Sequence, residues 1–356
     1  MNVTACGVGP ELGHSYVCAD AYGGGVVPVF SFFTQFDRTW KHAGTLEAAV
    51  LIIIFLTSLI GNSLVLKLIL SKRGTKTITN LFVCNLIVTD LLYILTIPFI
   101  AAVRVTSTWV LGRFMCSFIN YWLFVCGSTM IWTMTAISID RYVNINVGIS
   151  TGRRLTKRHV AVFNVALWLI GVLLYIPIAQ HFQVISATAG NNVFEICTLI
   201  WSDRSHNQSL IFVSIVSVLS FVVPINIITV NYARIYLKYR KSRRAVEGFN
   251  ADNNTNTVQA RTPVNSSRYR VLKTLVTLVV AFIVMWTPVF AAFMAIEYDK
   301  INTQYKVSSS LLLWTTAVCY LNTILNAFLY GLTTKQIREK VGSIKERFTN
   351  HAETTM

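Results

Sequence analysis

Seven long apolar stretches constrain the fold of this chain more than any other feature of its sequence. They lie at about 46–70, 78–103, 114–143, 160–182, 208–237, 271–296 and 308–331. Each is long enough to cross a bilayer as a helix, which takes about 20 mainly apolar residues. Charged residues make up only 13% of the chain, about half of their share in soluble domains. We therefore predict an all-α membrane protein, a bundle of seven transmembrane helices.

Basic residues in the connecting loops predict how the bundle is oriented. Lys and Arg cluster at 72–76, 153–158 and 238–244, after the first, third and fifth spans. Because cytoplasmic loops are enriched in these residues, we expect a plasma-membrane protein with an extracellular N-terminus and a cytoplasmic C-terminus. The same loops account for the formal charge of +16 without a nucleic-acid partner. The sequons at Asn2 and Asn207 then face outwards, where they can be glycosylated.

The sequence divides into three parts. Residues 1–44 form an extracellular N-terminal segment, 45–332 the seven-transmembrane domain, and 333–356 a short cytoplasmic tail. Within the domain, 245–267 is rich in Asn, Thr and Ser and is expected to be a flexible third cytoplasmic loop. In the tail, apolar residues recur at spacings of four, three and four among basic ones, which predicts an amphipathic helix on the inner leaflet. These residues are Ile337, Val341, Ile344 and Phe348.

Cysteine positions suggest a disulfide on the outer side. Cys116 opens the third span and Cys197 lies in the loop before the fifth. Both therefore face the oxidising extracellular space, where a bridge can form and persist. Cys6 and Cys18 are a second candidate pair, in the N-terminal segment, and the sequence leaves their pairing open.

Polar side chains inside the spans need a reason, because a charge at the bilayer centre costs about 2.5–3.5 kcal/mol. They are Asp90, Asn62, Asn322 and Asn326. These groups can form a hydrogen-bond network between helices, and the carboxylate can also hold a cation. We expect no cofactor and no other metal, with a sodium ion at this polar core as an open alternative.

Several motifs resemble those of the rhodopsin-like, class A, G-protein-coupled receptors in order and spacing. They are Gly61-Asn62, Asp90, Cys116, Asp140-Arg141-Tyr142, Trp168, Pro224, Tyr232 and Trp286-Thr287-Pro288. The resemblance implies a receptor, not an enzyme, that activates a heterotrimeric G protein and has arrestin and a receptor kinase as further partners. It also implies an activation switch formed by Asp140, Arg141, Tyr142, Tyr232, Phe282, Trp286, Asn326 and Tyr330.

The sequence departs from the class pattern at three positions. Ala327 stands where the class normally has Pro, so span seven should kink less. Met130 replaces a hydroxyl that faces Asp90 in the class, which weakens the sodium alternative. Arg268 lies where some relatives carry an acidic partner for Arg141, so we expect a looser inactive state.

Four stretches more specifically resemble the receptors for long-chain fatty acids: 47–51, 104–112, 196–201 and 284–288. The outer half of span three has no acid to bind an amine, which also favours a lipid with a carboxylate. Arg104 has no acidic neighbour in sequence, so it can extend to the lipid headgroups or bind a ligand carboxylate. The resemblance to the fatty acid receptors favours the carboxylate. The full ligand-binding set is Arg104, Trp109, Asn120, Phe124, Trp286, Phe290, Phe293 and Leu313. A peptide ligand is the alternative, and a seven-helix transporter is a further one.

Overall fold

The computed structural model describes residues 15–20, 26–35, 40–71, 78–147, 156–189, 192–201, 207–252, 263–302 and 306–333. Helices account for most of these residues. Their bounds are α1 Ala43–Leu70, α2 Ile78–Ile94, α3 Ile97–Thr106, α4 Gly112–Tyr142, α5 Lys157–Leu174, α6 Ile176–His181, α7 Asn207–Ser217, α8 Val223–Asp252, α9 Pro263–Ile301 and α10 Ser309–Thr333.

These helices build seven membrane spans, as the apolar stretches predict. Their bounds are Ala43–Leu70, Ile78–Thr106, Gly112–Ile145, Lys157–His181, Gln208–Lys241, Val279–Ile301 and Ser309–Leu329. Span three lies at the centre of the bundle, since 72% of its most apolar window is buried, against 17% for span four. Spans two, three and four meet at Asn85, which donates to Thr133 and accepts from the Trp168 indole.

Prolines divide several spans into shorter helices. Pro98 and Pro177 follow the junctions between α2 and α3 and between α5 and α6. A proline has no N–H for the carbonyl four residues before it, so the regular helix is interrupted there. In span five the interruption before Pro224 is a π-helical turn, Val218–Val222, which is a common way to absorb an irregularity within a helix. This turn helps to set where Ser220 points.

Two β-hairpins lie outside the spans. Strand β1, Tyr16–Asp20, pairs with β2, Val26–Phe30, and β3, Phe182–Ala189, pairs with β4, Asn192–Leu199. The two hairpins share a small apolar cluster of Val17, Val29, Ile196 and Ile200. In the described part of the chain the bundle itself is therefore all-helical, while the strands cover one end of it.

The third cytoplasmic loop is shorter in the structure than the sequence predicts. The flexible loop predicted at 245–267 is too long, because α8 continues to Asp252 and α9 already begins at Pro263. Polar residues such as Asn and Thr weaken a helix only slightly, so they did not end these two helices. The amphipathic helix predicted in 333–356 lies outside the described residues, apart from Thr333 at the end of α10.

Candidate functional site

A cavity lies between the outer halves of the spans. Spans three and six supply most of its wall, and the rest comes from spans two, four, five and seven and from Phe32 and Phe33 of the N-terminal segment. Among the residues that the structure describes, no charged side chain lines it. The lining residues are Phe32, Phe33, Tyr93, Asn120, Leu123, Phe124, Gly127, Ser128, Ile131, Tyr175, Val216, Ser220, Trp286, Val289, Phe290, Phe293, Leu312 and Thr316. An apolar wall with a few polar groups is typical of a small-molecule binding site.

Aromatic rings from four spans pack together around the cavity. The Phe124 ring lies 5.3 Å from the Phe293 ring and 5.5 Å from the Tyr175 ring. The Phe290 ring stacks on Phe221 at 4.5 Å. These contacts hold spans three, four, five and six together around the cavity, at distances that favour aromatic pairs.

Most polar groups in the wall already have partners within the protein. The Asn120 amide donates to the Cys116 carbonyl at 2.9 Å and to the Cys197 sulfur at 3.4 Å. The Tyr175 and Ser220 hydroxyls share a hydrogen bond at 2.6 Å, so the π-helical turn of span five is linked to span four. With these groups satisfied, the cavity offers a ligand mainly apolar contact.

Trp286 forms the floor of the cavity. Its ring lies 5.7 Å from Phe282 and 6.1 Å from Tyr93. On its other side it packs against Gly127 so closely that a Cβ there would lie 3.1 Å from two ring atoms. Its buried Nε1 has no hydrogen-bond partner in the described part of the chain. The ring is therefore held by packing alone, between the ligand space and the lower half of span three.

The N-terminal segment closes the cavity from outside. We call residues 15–20 and 26–35 the N-terminal plug. Phe32 and Phe33 are part of the cavity wall, and hydrogen bonds fix the plug to the β3–β4 hairpin and to the start of span seven. Phe30 accepts from Thr198 at 2.7 Å, Phe32 donates to the Cys197 carbonyl at 3.4 Å, and the Ser15 hydroxyl accepts from the Ser309 N–H at 2.7 Å.

Arg104 is not the unpaired cation that the sequence suggests, and this interpretation is wrong. Its side chain is fully buried and forms a two-pronged ion pair with Glu47, at 2.7 Å and 2.9 Å. The guanidinium also donates to the Phe33 carbonyl, to Gln35, and to the hydroxyls of Ser309 and Ser310. These acceptors occupy its fork of N–H donors, and Arg104 does not line the cavity.

Trp109 and Leu313 also lie away from the cavity wall. Trp109 is buried beneath the β3–β4 hairpin, where its backbone N–H donates to the Glu195 carbonyl and its indole donates to the Gly112 carbonyl. Leu313 is part of the core, and its neighbour Leu312 is the one that faces the cavity. The other predicted ligand residues, Asn120, Phe124, Trp286, Phe290 and Phe293, all line it.

The polar residues predicted in the membrane meet below Trp286. The Asn326 amide donates to both Asp90 carboxylate oxygens, at 3.2 Å and 3.4 Å, and to Asn322 at 3.3 Å. Asn322 in turn donates to the sulfur of Met285, the residue before Trp286. Asn62 is bound instead to Ser58 and to the Thr323 carbonyl. The floor of the cavity is thus linked to the polar core through span seven.

The residues of this core are a partial fit to a sodium ion. Asp90 supplies carboxylate oxygens, and the Oδ1 atoms of Asn62 and Asn326 are buried without partners among the described residues. Hard cations prefer such oxygen ligands. The buried Met130 side chain offers a thioether in place of the hydroxyl that the class has there.

The C-terminal end of span three carries three of the predicted switch residues, Asp140, Arg141 and Tyr142. Asp140 accepts from Thr79 at 3.0 Å and from Asn144 at 2.9 Å, and in the described part of the chain no ion pair joins it to Arg141. The Arg141 Nε is buried without a partner there. The remaining switch residues are placed as follows: Tyr142 lies under the Arg234 guanidinium at 5.8 Å, Tyr232 is buried, and Tyr330 belongs to α10.

The predicted disulfide between Cys116 and Cys197 is present and ties β4 to the outer end of span three. It holds the second hairpin over the cavity. Cys6 and Asn2 lie outside the described residues, and Asn207 is the first residue of α7. Glycosylation of the two sequons stays a prediction.

Seven spans around an apolar cavity, with a disulfide-anchored cover outside and an acid–arginine–tyrosine motif inside, define a seven-helix membrane receptor. The chain belongs to the family described as 7 transmembrane receptor (rhodopsin family), which it matches over residues 61–330. It is therefore a multi-pass membrane receptor and not an enzyme. Membership also implies coupling to a G protein.

Individual receptors share about a third or less of its residues. The chain is 30% identical to free fatty acid receptor 4 of Rattus norvegicus, over 85% of its own length and 83% of the relative's. It is 29% identical to galanin receptor type 1 of Homo sapiens, over 81% and 78%. It is 26% identical to G-protein coupled receptor 54 of Oreochromis niloticus, over 78% and 72%. The resemblance to the fatty acid receptors is confirmed, and similarity extends to receptors for peptides.

Sequence reasoning missed the contribution of the plug to the site. The run Val26-Val27-Pro28-Val29-Phe30 is rich in β-branched and aromatic residues, which favours a strand. That signal predicts a hairpin strand but not where it docks. The roles of Tyr175, Ser128 and Thr316 in the wall had no sequence signal beyond their place in a span.

Proposed function

We propose that this receptor binds an elongated, mostly apolar ligand, such as a long-chain fatty acid or a related lipid, and that the bound ligand activates a heterotrimeric G protein. One observation carries the proposal: the cavity wall is mainly aromatic and aliphatic, and most of its polar groups already have partners within the protein. A ligand gains about 25 cal/mol of binding free energy for each Å² of apolar surface that it buries against such a wall. The similarity to free fatty acid receptor 4 supports a lipid ligand independently of the cavity.

The plug supports a lipid over a peptide. A peptide reaching Trp286 from outside would have to displace Phe32 and Phe33, together with the hydrogen bonds that fix the plug. A lipid dissolved in the bilayer can approach between the spans and leave the plug in place. The similarity to galanin receptors supports the alternative of a peptide ligand. A peptide agonist would require the plug to open.

Arg104 has no part in this proposal. Its donors are occupied by Glu47 and by the surrounding carbonyl and hydroxyl groups, so a ligand carboxylate would have to break a buried ion pair to reach it. Loss of such a pair costs several kcal/mol. A charge-assisted bond to the ligand would return only about 1.5–3 kcal/mol.

We propose that activation begins at Trp286. A ligand that presses on this ring displaces the part of span six that also carries Met285, and Met285 is bonded to Asn322 and Cys319 of span seven. Outward movement of span six would open a cytoplasmic crevice at Arg141, Tyr232 and Tyr330. The ligand must bind the open state more tightly than the closed one, since only differential affinity shifts the populations.

The remaining partners follow from this cycle. We propose that arrestin and a receptor kinase bind the same cytoplasmic face after activation, with the N-terminus outside and the C-terminus in the cytoplasm. The basic loops at 72–76, 153–158 and 238–244 support that orientation. A sodium ion bound at Asp90 would favour the closed state in this scheme, because it would bridge spans two and seven.

The test is guanine-nucleotide exchange on purified G proteins, with the receptor in lipid nanodiscs and a panel of long-chain lipids. We expect at least one lipid to activate, and Phe290→Ala to reduce its potency by about 10- to 150-fold, the equivalent of about 1.5–3 kcal/mol of lost burial. Phe114→Ala is the matched control, because Phe114 is a largely exposed ring on the outer end of span three.

Two outcomes would refute the lipid assignment. The first is activation by peptides while every lipid in the panel stays silent. The second is an equal loss of potency in Phe114→Ala and Phe290→Ala, since only Phe290 lines the cavity.

A further inference from the structure

A second cavity of about 470 Å³ adjoins the first. It lies between spans four, five and six, under the β3–β4 hairpin, and it shares Phe124, Phe290 and Phe293 with the first cavity. A ligand longer than the first cavity can therefore extend into the second. Among the described residues, Glu297 is the one charged side chain in its wall, and the rest of the wall is apolar except Ser217.

Glu297 is an unusual residue for such a wall. It lies on span six and is only 3% exposed. One carboxylate oxygen, Oε1, accepts from Lys300 at 2.9 Å. The other oxygen, Oε2, is buried and has no hydrogen-bond partner among the described residues. Buried acceptors are almost always paired, so an unpaired carboxylate oxygen facing a cavity points to a missing donor.

The charge of Glu297 is already balanced, which defines the kind of donor that fits. Lys300 is buried beside it, with a side-chain exposure of 8%, and neutralises the carboxylate. The neighbouring Asp299 is occupied by the Val307 N–H at 2.8 Å. What Oε2 lacks is a hydrogen bond and not a counter-charge. An anionic headgroup would bring a second negative charge to this carboxylate, where like charges repel.

We propose that Glu297 binds the polar end of the ligand, and that this end is a neutral hydrogen-bond donor such as a long-chain amide or alcohol. The tail would run past Phe124 and Phe290 to Trp286. This inference rests on the proposed lipid function and specifies its headgroup. It replaces the carboxylate that the sequence suggested with a group that donates to a carboxylate.

The test compares four compounds with one common long chain: the primary amide, the alcohol, the free acid and the methyl ester. We expect the amide and the alcohol to be about 10- to 150-fold more potent in nucleotide exchange than the ester, which cannot donate, and than the ionised acid. In Glu297→Gln the amide oxygen of the new side chain should accept from Lys300, and its NH₂ group should then face the cavity. The preference for amide over acid should then shrink or reverse.

Glu195→Gln is the matched control, because it makes the same charge change at an exposed position outside both cavities. Its headgroup preference should equal that of the wild type. Lys300→Gln provides a second variant should Glu297→Gln fail to reach the membrane. It leaves the Glu297 charge unbalanced. The primary amine with the same long chain, tested as a fifth compound in its ammonium form, should then gain potency relative to the amide.

The outcomes separate this inference from the function on which it rests. Activation by amide, alcohol, acid and ester with equal potency would overturn the headgroup assignment and leave the lipid function standing. An unchanged amide-to-acid ratio in Glu297→Gln would do the same. If none of the four compounds activates the wild type or displaces a fluorescent long-chain amide from it, the lipid function and the headgroup assignment both fall.

Discussion

Gly127 offers the most direct test of whether the position of Trp286 sets the state of the receptor. A Cβ at Gly127 would lie 3.1 Å from the Cη2 and Cζ3 atoms of the ring. Carbon atoms pack best at about 3.5–4.0 Å. Gly127→Ala must therefore push the ring by a few tenths of an ångström, and the free space lies on its cavity side. The substitution imitates a displacement of Trp286 without a ligand.

The size of the effect follows from the cost of overpacking. Inserting a methyl group into a packed core typically costs about 1–3 kcal/mol. If the open state frees the ring, this cost is paid in the closed state alone. A difference of about 1–2 kcal/mol changes an equilibrium by about 5- to 30-fold. We expect ligand-independent nucleotide exchange to rise by that factor in Gly127→Ala, as measured in nanodiscs at matched receptor concentration.

Gly171→Ala is the control for this experiment. Its Cβ would lie 3.6 Å from the Thr129 hydroxyl and 3.7 Å from Val125, which is ordinary contact. Both substitutions raise helix propensity equally, so only the steric push on Trp286 differs. Unchanged basal exchange in well-expressed Gly127→Ala, or an equal rise in Gly171→Ala, would refute the role assigned to this ring.

Three further predictions concern the outer and inner ends of the bundle. Arg104→Ala should lower thermal stability by the equivalent of about 3–5 kcal/mol, because it leaves the buried Glu47 carboxylate without its counter-charge. Adding Glu47→Leu should restore part of the lost stability, and additive losses in the double variant would contradict the pairing. Cys197→Ser should reduce surface expression and ligand response together, and alkylation of both thiols in functional native protein would show that Cys116 and Cys197 are not bonded. Arg141→Ala should abolish agonist-driven exchange while radioligand binding persists, and normal exchange would exclude the switch.

The bundle and the disulfide were predictable because their signals are local or positional. Apolar stretches of sufficient length define spans without reference to any partner, and the two bonded cysteines lie at the same end of the predicted bundle. The aromatic wall residues Phe124, Phe290 and Phe293 were also predictable, since they lie in the outer halves of spans that must face one another. The position of a residue along its span predicts its depth in the membrane, and that depth was sufficient to predict these features.

Arg104 was misread because its partner is distant in sequence. Glu47 lies 57 residues before it, outside any window in which charges can be matched by spacing. A search for acids at the same membrane height would have found Glu47 at the outer end of span one.

The positions of Ser220 and of the plug were not predictable for a different reason. Ser220 lies in the π-helical turn of span five, and the plug is positioned by the docking of its hairpin. Neither position follows from local composition.

The network around Arg104 also bears on how the protein is made. Spans enter the membrane in the order in which the ribosome produces them, so Arg104 arrives soon after Glu47 and long before Ser309 and Ser310. Until the last span is inserted, its guanidinium lacks two of the hydroxyl acceptors that it has in the finished bundle. A polar group left unsatisfied in such a setting is costly. A chain without span seven therefore lacks Ser309 and Ser310, and Arg104 completes its hydrogen bonds only when that span is in place.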